Sequence, residues 1–180
     1  AKLEDPQRLS IENPELIFDA FSVQNIEAAV DIGAGTGFYT RPLLHRMRPM
    51  GLVWACDVSF EILQWLSTHL SPELRQHLGL VQIGETALPF ASAKVDLVVM
   101  ANVLHEFDHP YDILLEVHRI LTPNGRLVLV DWKKEEAPFG PPYAHRVSLQ
   151  DIEHALHQAG LRQVQSPCVL ERHNAFLAGK

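Results

Sequence analysis

The sequence predicts an α/β domain: an open twisted sheet, mostly parallel with an antiparallel last strand, carrying helices on both faces. Three observations predict it. Apolar runs rich in Val, Ile and Leu alternate with segments of helical spacing at least five times, the signature of successive βα units. The runs at 28–32, 51–56, 78–83, 94–101 and 126–132 are nearly continuous in apolar residues, as strands covered on both faces must be. Two short apolar runs near 162–166 and 176–178 then close the chain as a hairpin-like pair.

The elements follow in order. Residues 1–12 are polar and read as an arm laid over the domain. Asn13-Pro14-Glu15 offers an N-cap, a proline at the first helical position and an early acid, so a short helix presenting Leu16, Ile17, Ala20 and Phe21 follows. The first strand empties into a glycine-rich loop and a helix to about residue 47, in which Pro42 sits near enough to the start to be tolerated. A helix over 59–70 buries Phe60, Leu63, Leu66 and Leu70. Another over 111–121 is ended by Pro123-Asn124-Gly125. Ser148-Leu-Gln-Asp151 is a capping box opening a helix that Gly160 closes. With 180 residues, the chain reads as a single domain, an arm and helix over 1–23 and a core over 24–180.

Bulk composition excludes several classes. Of the residues, 47% are hydrophobic and 21% charged, which is ordinary for a globular protein and not for a disordered one. A formal charge of −7 without clustered Lys and Arg argues against a nucleic-acid partner. No apolar run approaches the roughly 20 residues of a membrane span, and the start lacks a signal peptide's layout; no membrane association and a cytoplasmic location are expected. The two cysteines, Cys56 and Cys168, read as buried free thiols.

The chemistry gathers around Ala29-Val-Asp-Ile-Gly-Ala-Gly-Thr-Gly-Phe-Tyr-Thr40. Glycines directly after a buried strand let the backbone take positive φ and approach a ligand. The spacing is Gly33-x-Gly35-x-Gly37, whereas a dinucleotide fingerprint has its third glycine one residue later, where Phe38 stands. In an open α/β sheet, ligands lie beyond the carboxyl ends of the strands. That rule selects 31–37, Asp57, 84–86, 101–105 and Asp131-Trp132. Asp57 ends the second strand about 20 residues after the loop, where a carboxylate can accept from both hydroxyls of a ribose.

These motifs, with Gly84-Glu85, Leu88-Pro89-Phe90, the run from Val95 to Phe107, and Arg119-Ile-Leu-Thr-Pro-Asn-Gly-Arg-Leu-Val-Leu-Val-Asp-Trp132, resemble the class I S-adenosylmethionine-dependent methyltransferases. Within that family the chain is most similar to the small-molecule branch that includes the ubiquinone/menaquinone methyltransferases. The resemblance implies a Rossmann-like fold, S-adenosyl-L-methionine as cofactor and a small-molecule methyl acceptor. It further implies that Asp31 and the loop Gly33, Ala34, Gly35, Thr36 and Gly37 hold the methionine moiety. Asp57 would take the ribose and Val58 would pack on adenine, with Gly84, Glu85 and Thr86 near the adenine amino group. Ala101, Asn102 and His105 would line the pocket under the sulfonium. His105 is the candidate general base, since its unperturbed pKa lies near neutrality; it could equally serve to order its loop.

His105-Glu-Phe-Asp-His109 also matches a zinc-protease motif, but that motif works on a helix, and Pro110 disfavours a helical His109. No metal is expected. The loop 132–146 and the arm with Arg8 are candidates for a lid over the substrate. The function expected is methyl transfer to a small molecule by in-line displacement. The alternative is a catalytically silent S-adenosylmethionine-binding module. A nicotinamide oxidoreductase is disfavoured by Phe38. Monomer and homodimer both remain open.

Overall fold

A computed structural model of the chain describes residues 8–165 and 170–180. Among the described residues, seven strands form one sheet: β1 (Ile26–Ile32), β2 (Met47–Asp57), β3 (Leu78–Gln82), β4 (Val95–Ala101), β5 (Leu121–Trp132), β6 (Arg162–Gln165) and β7 (His173–Gly179). Their order is β3-β2-β1-β4-β5-β7-β6. β1 to β5 are mutually parallel, and β7 runs antiparallel between β5 and β6. The winding direction reverses between β1 and β4, which opens a crevice at their carboxyl ends.

The helices are α1 (Arg8–Ile11), α2 (Pro14–Ala20), α3 (Thr40–Leu44), α4 (Phe60–Thr68), α5 (Pro72–Arg75), α6 (Pro110–Ile120) and α7 (Leu149–Gln158). Successive strand residues point to opposite faces, so the sheet divides its apolar residues between two cores. Ala29, Val53, Ala55, Leu97, Val99, Val128 and Val130 pack under α2, α3 and α4 through Ile17, Phe18, Leu43, Leu63 and Leu66. Val30, Ile32, Cys56, Val98, Met100, Leu127 and Leu129 pack under α6 and α7 through Ile113, Leu114, Val117, Ile152 and Leu156. The near-continuous apolar runs of the central strands are the direct consequence of this double cover.

The caps expected at Asn13 and Ser148 form, and Ser59, expected as the first residue of its helix, is instead the N-cap of α4. Asn13 Oδ1 accepts from the Glu15 amide at 3.0 Å, Ser59 Oγ from the Ile62 amide at 3.3 Å, and Ser148 Oγ from the Asp151 amide at 3.1 Å. Gly160 follows α7 at φ +82. Other expectations need correction. The helix after the glycine loop covers only Thr40–Leu44: the Arg46 amide turns back to the Leu43 carbonyl at 2.9 Å, and the Arg46 carbonyl accepts from the Ile26 amide at 3.3 Å as the chain enters β2 at Met47. Leu16 and Phe60 are exposed, while Phe18 takes the buried place on α2. α6 ends at Ile120, before Pro123-Asn124-Gly125; Leu121 already pairs with Val95, pairing resumes at Leu97 with Arg126, and residues 122–125 loop out opposite Asp96. A Cβ at Gly125 would come 2.9 Å from the Val95 carbonyl oxygen. Cys56 is a buried free thiol, whereas Cys168 and residues 1–7 of the arm lie outside the described residues. No helix among the described residues is long and apolar enough to cross a membrane.

Candidate cofactor-binding site

The loop leaving β1 passes through positive φ at Gly33 (+73), Gly35 (+52) and Gly37 (+85), a region that L side chains rarely occupy. Space is as restrictive as conformation. A Cβ on Gly33 would stand 2.5 Å from the Val103 side chain, and one on Gly37 would stand 2.3 Å from Leu66. The loop is therefore wedged between the end of β4 and α4. The Gly33 and Ala34 amides donate to the Cys56 carbonyl at 2.8 and 3.0 Å, fixing the loop to the neighbouring strand.

Over this loop opens a shallow cleft, part of it open to solvent. Asp31 and the loop residues Gly33, Ala34, Gly35 and Thr36 form one wall; Ala101 and Asn102, at the end of β4, form another. Gly37 sits beneath the cleft against α4. Seven of the residues singled out by sequence thus converge on one space. Phe38, Tyr39 and Arg8 complete the lining.

Asp31 is the acid of the cleft. Burial pushes its pKa up to about 7; the hydrogen bond from the Thr40 hydroxyl and the charge of Arg8 oppose the rise, and the charge of Asp57 adds to it. Thr40 Oγ1 donates to Asp31 Oδ2 at 2.6 Å. Asn102 takes φ +55, which Asn tolerates better than most side chains. Its Oδ1 is buried without a hydrogen-bond partner among the described residues, and a buried unpaired acceptor is a costly feature that a ligand donor would relieve.

The residues expected at the nucleoside end form a more open surface. Asp57 Oδ2 accepts from the Gly35 amide at 2.9 Å and Oδ1 from the Ser59 amide at 3.1 Å, so the carboxylate is oriented by the loop and by the start of α4; like Val58 and residues 84–86, it is not part of the cleft lining among the described residues. Val58 is 64% exposed, and the Gln82 side-chain amide donates to its carbonyl at 2.8 Å. Gly84, Glu85 and Thr86 are exposed in the loop after β3.

His105 lies elsewhere. It sits in the 3-10 turn Leu104–Glu106, and its side chain, 4% exposed, is not part of the cleft lining among the described residues. Asp131 holds it twice: the His105 amide donates to Oδ2 at 3.1 Å, and Nδ1 stands 2.6 Å from Oδ1. Nε2 is 3.0 Å from Glu106 Oε1. Burial works against the charged ring, but the hydrogen bonds and charges of Asp131 and Glu106 outweigh it, and the pKa is raised. His109 is the residue capping α6 ahead of Pro110, so the two histidines do not share a helix face.

The residue that sequence reading passed over is Glu12. It is 1% exposed and collects partners from four parts of the chain. Tyr39 donates its hydroxyl at 2.6 Å, Asn102 Nδ2 stands 2.8 Å from each carboxylate oxygen, Arg8 Nε lies at 3.3 Å and His173 Nε2 at 3.8 Å. The one local signal was the i, i+4 spacing of Arg8 and Glu12; the other partners are distant in sequence.

Fold and cleft together define a doubly wound α/β domain with a small-molecule site at the switch point of its sheet. Comparison with known proteins narrows the class. Residues 30–129, more than half of the chain, match the methyltransferase domain family. The structure is similar to that of an S-adenosylmethionine-dependent methyltransferase from Aquifex aeolicus, with a TM-score of 0.90, 30% identity, and coverage of 98% of this chain and 94% of that one. Among curated proteins the chain is 28% identical over 61% of its length to a demethylmenaquinone methyltransferase of Lactococcus lactis. It is 30% identical over 63% of its length to the ubiquinone/menaquinone biosynthesis C-methyltransferase of Bordetella avium. The matched segments span 43% and 44% of those two relatives. The chain belongs to the class I S-adenosylmethionine-dependent methyltransferase family.

The residues present fit that family's cofactor. An amino-acid ammonium requires buried acceptors, and the cleft supplies the Asp31 carboxylate and the unpaired Asn102 Oδ1. The positive-φ glycines bring bare backbone to the same wall.

Proposed function

We propose that this chain catalyses methyl transfer from S-adenosylmethionine to a small-molecule acceptor, and that the cleft between the ends of β1 and β4 binds the cofactor. The observation that carries the reading is the convergence of Asp31, the Gly33–x–Gly35–x–Gly37 loop and Asn102 on one cleft. When bound, the cofactor supplies a methyl group already activated on a sulfonium. The chain's own task is alignment: Asp31 and Asn102 Oδ1 hold the ammonium, Asp57 the ribose hydroxyls, and Ala101 and Asn102 the ground under the sulfonium. Val58 and the 84–86 loop receive the adenine. Placing two reactants in line contributes up to roughly 7–11 kcal/mol in favourable cases.

His105 serves in this reading to order the turn after β4 and not as a base, because both ring nitrogens face carboxylates and its raised pKa favours holding the proton. The curated relatives are named for quinone biosynthesis, which makes a quinone-type ring carbon the first acceptor class to assay. Titration calorimetry with S-adenosylhomocysteine and, separately, NADH tests the cofactor reading. Binding of the first alone, and its loss in Gly35→Val, is expected. Binding of NADH alone overturns the reading. Saturable binding of S-adenosylhomocysteine without turnover across quinone, phenol and amine acceptors would favour a silent cofactor-binding module.

A further inference from the structure

The cofactor's amino-acid end carries a carboxylate as well as an ammonium, and the Gly33 and Ala34 amides of the loop are already given to the Cys56 carbonyl. The Gly35 amide is already given to Asp57 Oδ2 at 2.9 Å. Asp31 lines the cleft and Glu12 and Asp57 lie beside it, so an incoming carboxylate meets anionic surroundings. Among the described lining residues one cation is present, Arg8, and it arrives from the N-terminal arm.

Arg8 is held in a defined place. Its guanidinium lies over the Phe38 ring, 3.9 Å from the centroid, and Glu12 engages it from the Nε side at 3.3 Å. A guanidinium is a rigid fork of five donors, so a partner on the Nε side leaves the remainder of the fork for a second carboxylate. Phe38, the residue that breaks the dinucleotide spacing, is thus the platform on which this cation rests. Glu12 in turn is fixed by the Tyr39 hydroxyl and by Asn102 Nδ2. A buried carboxylate is tolerated only when so paired. Residues 8–12 are consequently docked beside the cleft through Glu12.

We propose that segment 8–12 is part of the cofactor site, with Arg8 binding the carboxylate of the amino-acid end and Glu12 positioning Arg8. The inference rests on the reading of the cleft as the S-adenosylmethionine site. Arg8 and Asp31 then give the zwitterion one partner of each sign. A charge-assisted hydrogen bond of this kind corresponds to roughly a ten- to hundredfold change in affinity.

The test compares two ligands on the intact chain by titration calorimetry: S-adenosylhomocysteine, and 5′-methylthioadenosine, which keeps the nucleoside and thioether but lacks the amino-acid end. Arg8→Ala is expected to weaken S-adenosylhomocysteine roughly ten- to hundredfold and to leave methylthioadenosine within about twofold of wild type. Arg8→Lys restores part of the loss. Glu12→Gln produces the same ligand-selective weakening, and because both ligands are measured on each variant, a general loss of folding would depress both alike. Equal weakening of the two ligands in Arg8→Ala, or no weakening of either, overturns the inference while the cofactor reading stands. Failure of the wild-type chain to bind either ligand overturns both.

Discussion

Two buried side chains, Asp31 in the cleft and His105 outside its lining, hold their protons to higher pH than they would in the unfolded chain, and both therefore link stability to pH with the same sign. Asp31 changes from an ordinary 3.8 to about 7 through burial. Its contribution is full below the unfolded value and is lost as pH rises through about 7. In the ligand-free protein, Asp31→Asn should remove a decline in unfolding free energy of up to roughly 1.4 kcal/mol per pH unit within that window, read from urea denaturation at a series of pH values. An unchanged slope would mean that Asp31 is ionised in the folded state. His105 is also raised, above its ordinary 6.5, by Asp131 and Glu106 against the opposing effect of burial. Its ion pair contributes fully below that value and fades as pH rises through the folded pKa. His105→Asn should accordingly lower the melting temperature more in mild acid than in mild base. An equal loss at both would indicate packing alone. The two residues also differ in how readable they were. Asp31 was legible because it sits in the strand that feeds the glycine loop. The environment of His105 was not, because Asp131 reaches it from a strand 26 residues away.

At the scale of elements, the loop 133–146 is held together largely by one side chain. The sequence offers it as a candidate lid, and it is pinned from within by Arg146, which is 4% exposed. The guanidinium donates to the carbonyls of Lys133 at 3.3 Å, Glu135 at 2.6 Å, Phe139 at 2.9 Å and Pro141 at 3.0 Å. It lies 5.3 Å from the centroid of the Trp132 ring. Gly140, at φ +91, brings its backbone against the same ring, where a Cβ would stand 3.0 Å away. Such a loop forms a standing wall next to the end of β5. Arg146→Ala leaves four carbonyls without this donor and should accelerate amide hydrogen exchange across 133–146 while β5 keeps its protection. Exchange unaltered in the loop would show that Trp132 and the backbone suffice to hold it. Two helix caps, by contrast, were legible directly, since Asn13 and Ser148 each act on amides within three residues.

Across the whole molecule, one sheet separates two apolar cores, and its order places the last strand in sequence next to the parallel set. Phe176 on β7 is fully buried in the core under α6 and α7, and β7 pairs with β5 along seven residues, from Arg126–Gly179 to Trp132–His173. Phe176→Ala should therefore destabilise the domain by roughly 3–5 kcal/mol, with far-UV and near-UV circular dichroism shifting together in urea, as a single cooperative unit requires. Separate transitions would show that β7 unfolds by itself. Periodicity, the alternation of strand and helix and the glycine spacing determined the strands, their parallel sense, the helices on both faces and the glycine loop, because burial on two faces writes itself into consecutive residues. Tertiary structure alone decided where residues 8–12 dock. Glu12 meets Asn102 across 90 positions and Tyr39 across 27, and a buried carboxylate takes its partners from whatever folding brings near, which no local pattern encodes.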